Sequence, residues 1–164
     1  MNTSMPILQA KNVWKEYGDV CVLERINVSI NAGEFVTVVG ASGCGKSTFL
    51  KLVLGTESVS RGELLLDGQP IPQEPDEHRG IVFQKYSVFP HLTVLGNVML
   101  ADEFSQSPFL GKLFGAAKKA AQERAEAMLE RVGLSHALNR YPSELSGGMQ
   151  QRLAIAQALM KKPR

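Results

Sequence analysis

Gly40-Ala41-Ser42-Gly43-Cys44-Gly45-Lys46-Ser47-Thr48 fills the pattern G-x-x-x-x-G-K-[ST], and it follows the apolar run Glu34-Phe35-Val36-Thr37-Val38-Val39, which predicts a buried strand. A strand that feeds a glycine loop and then a helix makes a phosphate cradle. Glycines let backbone N–H groups curl around a β-phosphate, Lys46 brings a point charge to the β and γ oxygens, and Ser47 offers its hydroxyl to magnesium. The helix that follows aims its positive end at the same phosphates. The expectation is a site for a nucleoside triphosphate with Mg2+.

A second stretch, Leu145-Ser146-Gly147-Gly148-Met149-Gln150-Gln151-Arg152, continues as Leu153-Ala154-Ile155-Ala156-Gln157-Ala158-Leu159-Met160. It reads as another helix start. Ser146 is a good N-cap, the two glycines leave backbone N–H groups uncovered, and the apolar residues recur at helical spacing. Read alone, it is equally an ordinary capped helix.

Taken together, these stretches resemble the nucleotide-binding domain of ATP-binding cassette (ABC) proteins, with Leu145 to Arg152 matching the family signature. The resemblance runs over almost the whole chain. It extends to Tyr17, which matches the aromatic that stacks on adenine, and to Gln84 in Val82-Phe83-Gln84-Lys85, which matches the Q-loop glutamine. The resemblance implies an α/β fold: a P-loop NTPase core with an antiparallel β subdomain and an α-helical subdomain, incomplete at the C-terminus. It implies ATP bound at Gly40 to Thr48, with Lys46 and Gln84 as catalytic groups and Ser47 and Gln84 at the Mg2+. Ser146, Gly147, Gly148 and Gln150 of a second nucleotide-binding subunit would complete the site from the other side, in a head-to-tail dimer.

The partners so implied are membrane permease subunits and a periplasmic or lipid-anchored solute-binding protein, with the chain at the cytoplasmic face of the inner membrane. Its implied role is the ATP-binding subunit of an importer. The run Lys85 to Val98, together with Met149 to Arg152, resembles importers of the nitrate, sulfonate and taurine type. Two alternatives stay open: a soluble, non-transport ABC ATPase, and a chain that binds ATP without hydrolysing it.

The sequence stops at Lys161-Lys162-Pro163-Arg164, where the family would begin the strand bearing the Walker B aspartate and catalytic glutamate. A carboxylate at the end of an apolar strand normally holds the metal and orients water. The expectation is therefore a fragment that binds nucleotide, hydrolyses it poorly, and exposes an apolar strand edge prone to association. Leu64-Leu65-Leu66-Asp67 is no substitute, because Gly68 follows and Asp-Gly predicts a hairpin turn. His78, His91 and His136 stand apart in sequence, and none follows the signature, where the family's switch histidine lies.

Composition agrees with a globular domain: 164 residues, 44% hydrophobic, 21% charged, formal net charge +2. That balance, with no block of like charges, argues against nucleic acid as a partner. No signal-like start and no apolar run of about 20 residues is present. Cys21 and Cys44 make neither a disulfide framework nor a zinc set. Cys44, at a helix start beside Lys46, is expected to react with thiol reagents and to be protected by ATP.

The predicted elements are strands at Ile7 to Ala10, Cys21 to Ile30, Glu34 to Val39, Glu63 to Leu66 and Gly80 to Gln84. The predicted helices are 46–55, Asn97 to Glu103, Gly115 to Val132 and the signature helix, with a break at Ser105 to Pro108. The expected division is 5–92 for the β subdomain and P-loop core, 93–145 for the helical subdomain, and 146–164 for the signature helix. Phe104 to Lys119 mixes Phe109, Leu110, Leu113 and Phe114 with lysines, and it reads as an ordinary helix with a solvated basic face rather than a membrane-surface or partner-binding amphipathic segment.

Overall fold

The computed structural model describes residues 5–73, 79–82, 88–106 and 113–163. Gln84, His78, and Phe109 and Leu110 of the mixed aromatic and basic segment lie outside the described residues. The chain divides into two compact units, Met1–Asp76 and Glu77–Arg164.

In the first unit β1 (Leu8–Tyr17), β2 (Val20–Ile30), β3 (Arg61–Leu66) and β4 (Gln69–Pro70) form an antiparallel sheet of order β2-β1-β3-β4. α1 (Lys46–Leu54) lies between β2 and β3 in the chain and buries Phe49 and Leu52 with Leu8, Ala10, Val13, Leu23 and Leu64. The alternation in β1 changes parity midway. Leu8 and Ala10 are buried, and after Asn12 the buried residues are Val13 and Lys15. A bulge accounts for this, because one extra residue returns later side chains to the core face. Asn12 sits at φ 51, the register with both neighbours shifts there, and its backbone N–H donates to Asn27 Oδ1 at 2.8 Å. The expected Asp67-Gly68 hairpin turn is present, with φ 50 and 75, between β3 and β4. Positive φ at both central residues is the type I′ requirement, which Asp-Gly meets.

Glu34 to Val39 is not a strand. Phe35 is 95% exposed and Val39 83%. A strand exists only through pairing of its N–H and C=O groups with a neighbour, and among the described residues none pairs with this run. Its start is a turn instead: the Glu34 carboxylate accepts from the Asn31 backbone N–H and from Asn31 Nδ2, both at 2.8 Å, and these bonds hold the Glu34 pKa below its ordinary value. The strand expected at Gly80 to Gln84 is likewise absent over 80–82, where Ile81 and Val82 are exposed.

The second unit is helical, with α2 (Val94–Gln106), α3 (Gly115–Arg131) and α4 (Gly147–Met160), and two short 3-10 turns before α4. Ala121, Ala125 and Leu129 form the buried stripe of α3 at four-residue spacing, against Val94, Val98 and Met99 of α2 and Leu153 and Ala156 of α4. Arg124 donates to Asp102 Oδ2 at 2.9 and 3.1 Å, joining α3 to α2. α2 starts three residues earlier than expected, because Thr93 Oγ1 accepts the Gly96 N–H at 3.1 Å. It also runs through Ser105 and Gln106, where a break is expected from the sequence.

Candidate functional site

The glycine loop wraps the first turn of α1. Gly45, φ 92, is the residue before the helix, and a Cβ there would lie 2.7 Å from Leu23 Cδ2 and 2.9 Å from the Val22 carbonyl oxygen. The loop is thus seated on β2, and only a residue without a side chain fits that seat. Lys46 reaches back across the loop: its Nζ donates to the carbonyls of Gly40 at 2.8 Å and Ala41 at 2.6 Å, and lies 3.6 Å from Cys44 Sγ. Ala41, Ser42, Gly43, Cys44 and Ser47 are exposed, and Lys46 and Thr48 are half-buried. The first N–H groups of a helix have no partner within it. Here they open beside an ammonium and a serine hydroxyl, a donor set for a polyphosphate and its cation.

Ser47 fits Mg2+ in part: its exposed hydroxyl would supply one oxygen beside phosphate oxygens and waters, while the carboxylate that usually shares such a site is not supplied by the loop 40–48. Among the described residues, no three His, Cys, Asp or Glu side chains gather as metal ligands.

Tyr17 ends β1 and pairs with Val20, two residues from the Val22 carbonyl beneath Gly45. The hairpin therefore brings the aromatic and the loop to one end of the sheet. Lys15 Nζ, on a residue only 8% exposed, lies 4.8 Å from the Tyr17 ring centroid, donates to the Ser58 carbonyl at 2.8 Å, and pairs with Glu57 at 3.0 Å. The Lys15 hydrogen bond holds the Glu57 carboxyl below its ordinary 4.5, against the opposing effect of burial, with weaker pulls from Lys15 and Lys51 charge and a Tyr17 hydrogen bond. Sequence reasoning missed Lys15 and Glu57 as supports of Tyr17. The signal was the parity change in β1, which turns Lys15 to the buried side.

A carboxyl whose folded value is depressed stabilises the fold above its unfolded value and loses that contribution as pH falls through the folded one. The melting temperature is expected to fall as pH drops below about 4.5, and Glu57→Gln should remove that part of the dependence. The same variant loosens Tyr17. Calorimetry with ATP and with inorganic tripolyphosphate should show weaker ATP binding and unchanged tripolyphosphate binding; equal changes for both ligands would exclude Tyr17 as the base platform.

The second helix start is in the other unit. Ser146 caps α4, its Oγ accepting the Met149 N–H at 3.3 Å, and Gly147 and Gly148 are exposed. Gln150 turns inward, its Nε2 donating to Pro142 O at 2.9 Å and Leu145 O at 3.3 Å, so it braces the turn that presents Ser146. Arg152 donates to the carbonyls of Val132 and Gly133 at 3.1 and 3.3 Å, tying α4 to the end of α3. Among the described residues, no helix is long and apolar enough to cross a membrane.

Comparison with known proteins gives a family model described as ABC transporter, matched by residues 23–164. The spermidine/putrescine import ATP-binding protein PotA of Nitrosomonas eutropha is 42% identical over 162 residues, 98% of this chain and 42% of that protein. The chain spans about two fifths of the length of the curated relatives it matches. Among solved structures, cbiO1 of Clostridium perfringens, part of the ABC transporter complex cbiONQ, superposes with TM-score 0.82 at 28% identity, covering 98% of this chain and 63% of that one. The ATP-binding cassette MJ0796, dimeric in a post-hydrolysis state with ADP and Pi, gives TM-score 0.74 at 33% identity, covering 95% of this chain and 70% of that one. The fold is that of α/β P-loop ATPase cassettes.

Proposed function

The chain belongs to the ABC transporter family, and from that premise we propose that it is the ATP-binding portion of an importer, coupling ATP binding and hydrolysis to solute movement through a membrane permease. The observation that carries this reading is the loop 40–48 seated on β2, with Lys46 spanning it and helix N–H groups opening beside it. Lys46 binds the β and γ oxygens, Ser47 holds Mg2+, and Tyr17 stacks on the base. When bound, Mg2+ offsets charge on the phosphates. Gln84 is proposed to sense the metal and the attacking water. Ser146, Gly147 and Gly148 of a second copy close on the γ-phosphate, with Gln150 bracing their turn. The chain then sits at the cytoplasmic face of the inner membrane through its permease, and a solute-binding protein serves the same system.

Two importer classes differ in support. The run Lys85 to Val98 resembles the nitrate, sulfonate and taurine type, whereas identity across 98% of the chain is to a spermidine/putrescine import protein. The broader likeness favours a polyamine-type system.

Cys44 reports on the site directly. Saturating Mg·ATP is expected to slow alkylation of Cys44 by N-ethylmaleimide at least about tenfold, and alkylated protein should give no binding heat with ATP. Unprotected alkylation together with unchanged affinity after it would overturn the assignment of the loop.

A further inference from the structure

Lys15 is only 8% exposed, and a buried ammonium is rare unless its donors find partners. It has three N–H donors, and among the described residues three groups meet them. Its Nζ donates to the Ser58 carbonyl at 2.8 Å, pairs with Glu57 at 3.0 Å, and lies over the Tyr17 ring, 4.8 Å from the centroid. The first two contacts tie β1 to the turn after α1, and they would do so wherever the ammonium lay relative to the aromatic. The third is of a different kind. Tyr17 remains 42% exposed, so the cation takes one face of the ring and leaves the other to a ligand.

A cation on one face of an aromatic draws the negative charge of the ring's quadrupole toward itself. The opposite face is then less negative. Such a face stacks well on a neutral, electron-rich base and poorly on a base that carries positive charge. The strength of this bias depends on the counter-charge, since Glu57 offsets the ammonium from 3.0 Å and also lies 4.0 Å from Lys51. Lys15 and Glu57 thus have opposite electrical effects on the ring, although both hold it in place.

We infer that Lys15 is a specificity-determining residue of the nucleotide site: its ammonium beneath the Tyr17 ring favours a neutral adenine and disfavours a cationic purine, and Glu57 sets the strength of that bias. The inference deepens the function proposed above and rests on it, because it needs the base to stack on Tyr17. It assigns base selectivity to a side chain that acts through the ring, without touching the base.

The test is titration calorimetry of the full chain, at fixed Mg2+, with ATP and with 1-methyladenosine triphosphate, whose base carries a positive charge at neutral pH. The phosphates are common to both, so the ratio of the two dissociation constants reads the base alone. Wild type should bind the methylated nucleotide more weakly. Lys15→Met, of similar length but uncharged, should lower that ratio at least about threefold, the scale of one cation–π contact. Glu57→Gln, which uncovers the ammonium, should raise it by a similar factor. Absolute affinity for ATP falls in both variants as the ring loosens, so a purely structural role cannot move the ratio in opposite directions. Any result other than opposite shifts, or equal wild-type affinities for the two nucleotides, would overturn the inference. If Lys15→Met gives no cooperative melt, Glu57→Gln decides alone, and a ratio unchanged or lowered counts against the inference. ATP affinity unaffected by Tyr17→Leu would instead overturn the base site of the proposed function, and this inference with it.

Discussion

Gly62→Ala is expected to destabilise the first unit by about 3–5 kcal/mol, the sum of positive-φ strain and of forcing an atom into occupied space. Gly62 lies in β3 at φ 87, and a Cβ there would sit 2.1 Å from the Asn12 carbonyl oxygen and 2.6 Å from both the Asn12 carbonyl carbon and the Lys11 oxygen. All three obstacles are backbone atoms. They belong to the bulge in β1, so relieving the overlap means dissolving the bulge and turning Val13 and Lys15 off the core face. Gly33→Ala separates the two contributions, since Gly33 has φ 80 and nothing within 4 Å of its Cβ position, and should cost only about 1–2 kcal/mol of backbone strain. Urea titrations should show a lower midpoint at unchanged m for both variants. A Gly62→Ala effect no larger than that of Gly33→Ala would mean the β1–β3 contact yields easily.

Lys46→Ala is expected to weaken Mg·ATP binding by roughly ten- to hundredfold, because hydrogen bonds to a charged group contribute about 1.5–3 kcal/mol each. Lys46→Arg should fare little better. A planar fork of donors cannot place one compact charge between the Gly40 and Ala41 carbonyls as the ammonium does. Titration calorimetry at fixed Mg2+ reads both effects, and affinity within threefold of wild type in Lys46→Ala would remove Lys46 from the binding site. Stability should change little, since among the described residues the side chain bonds only to its own exposed loop.

Local chemistry was legible where one short rule decides the conformation. Asp67-Gly68 turns as its residue types demand, Ser146 caps α4, and the Ala121-Ala125-Leu129 stripe builds the helical core. Features that depend on distant neighbours were not legible. Glu34 to Val39 has the composition of a buried strand, yet pairing is a property of two segments and the run alone does not supply its partner. The bulge at Asn12 was visible only as a parity change between Ala10 and Val13, and without it Lys15 could not be assigned to the inside or linked to Tyr17. Of the candidate site, the loop residues and the Ser146 cap followed from their motifs. The supporting residues Lys15 and Glu57 did not, because each acts through contacts dozens of residues away in sequence.

The posture of Lys46 also sets what can enter the loop. Its ammonium already holds two carbonyl oxygens of the loop it guards, so the cradle is occupied by its own backbone before any ligand arrives. An incoming group must outcompete neutral carbonyls, and only a dense cluster of negative oxygens does so decisively. Adenosine offers none, and a monophosphate offers too few to engage the ammonium and the helix end together. On the function proposed above, selectivity for the number of phosphates is therefore expected to be set by competition with the loop itself.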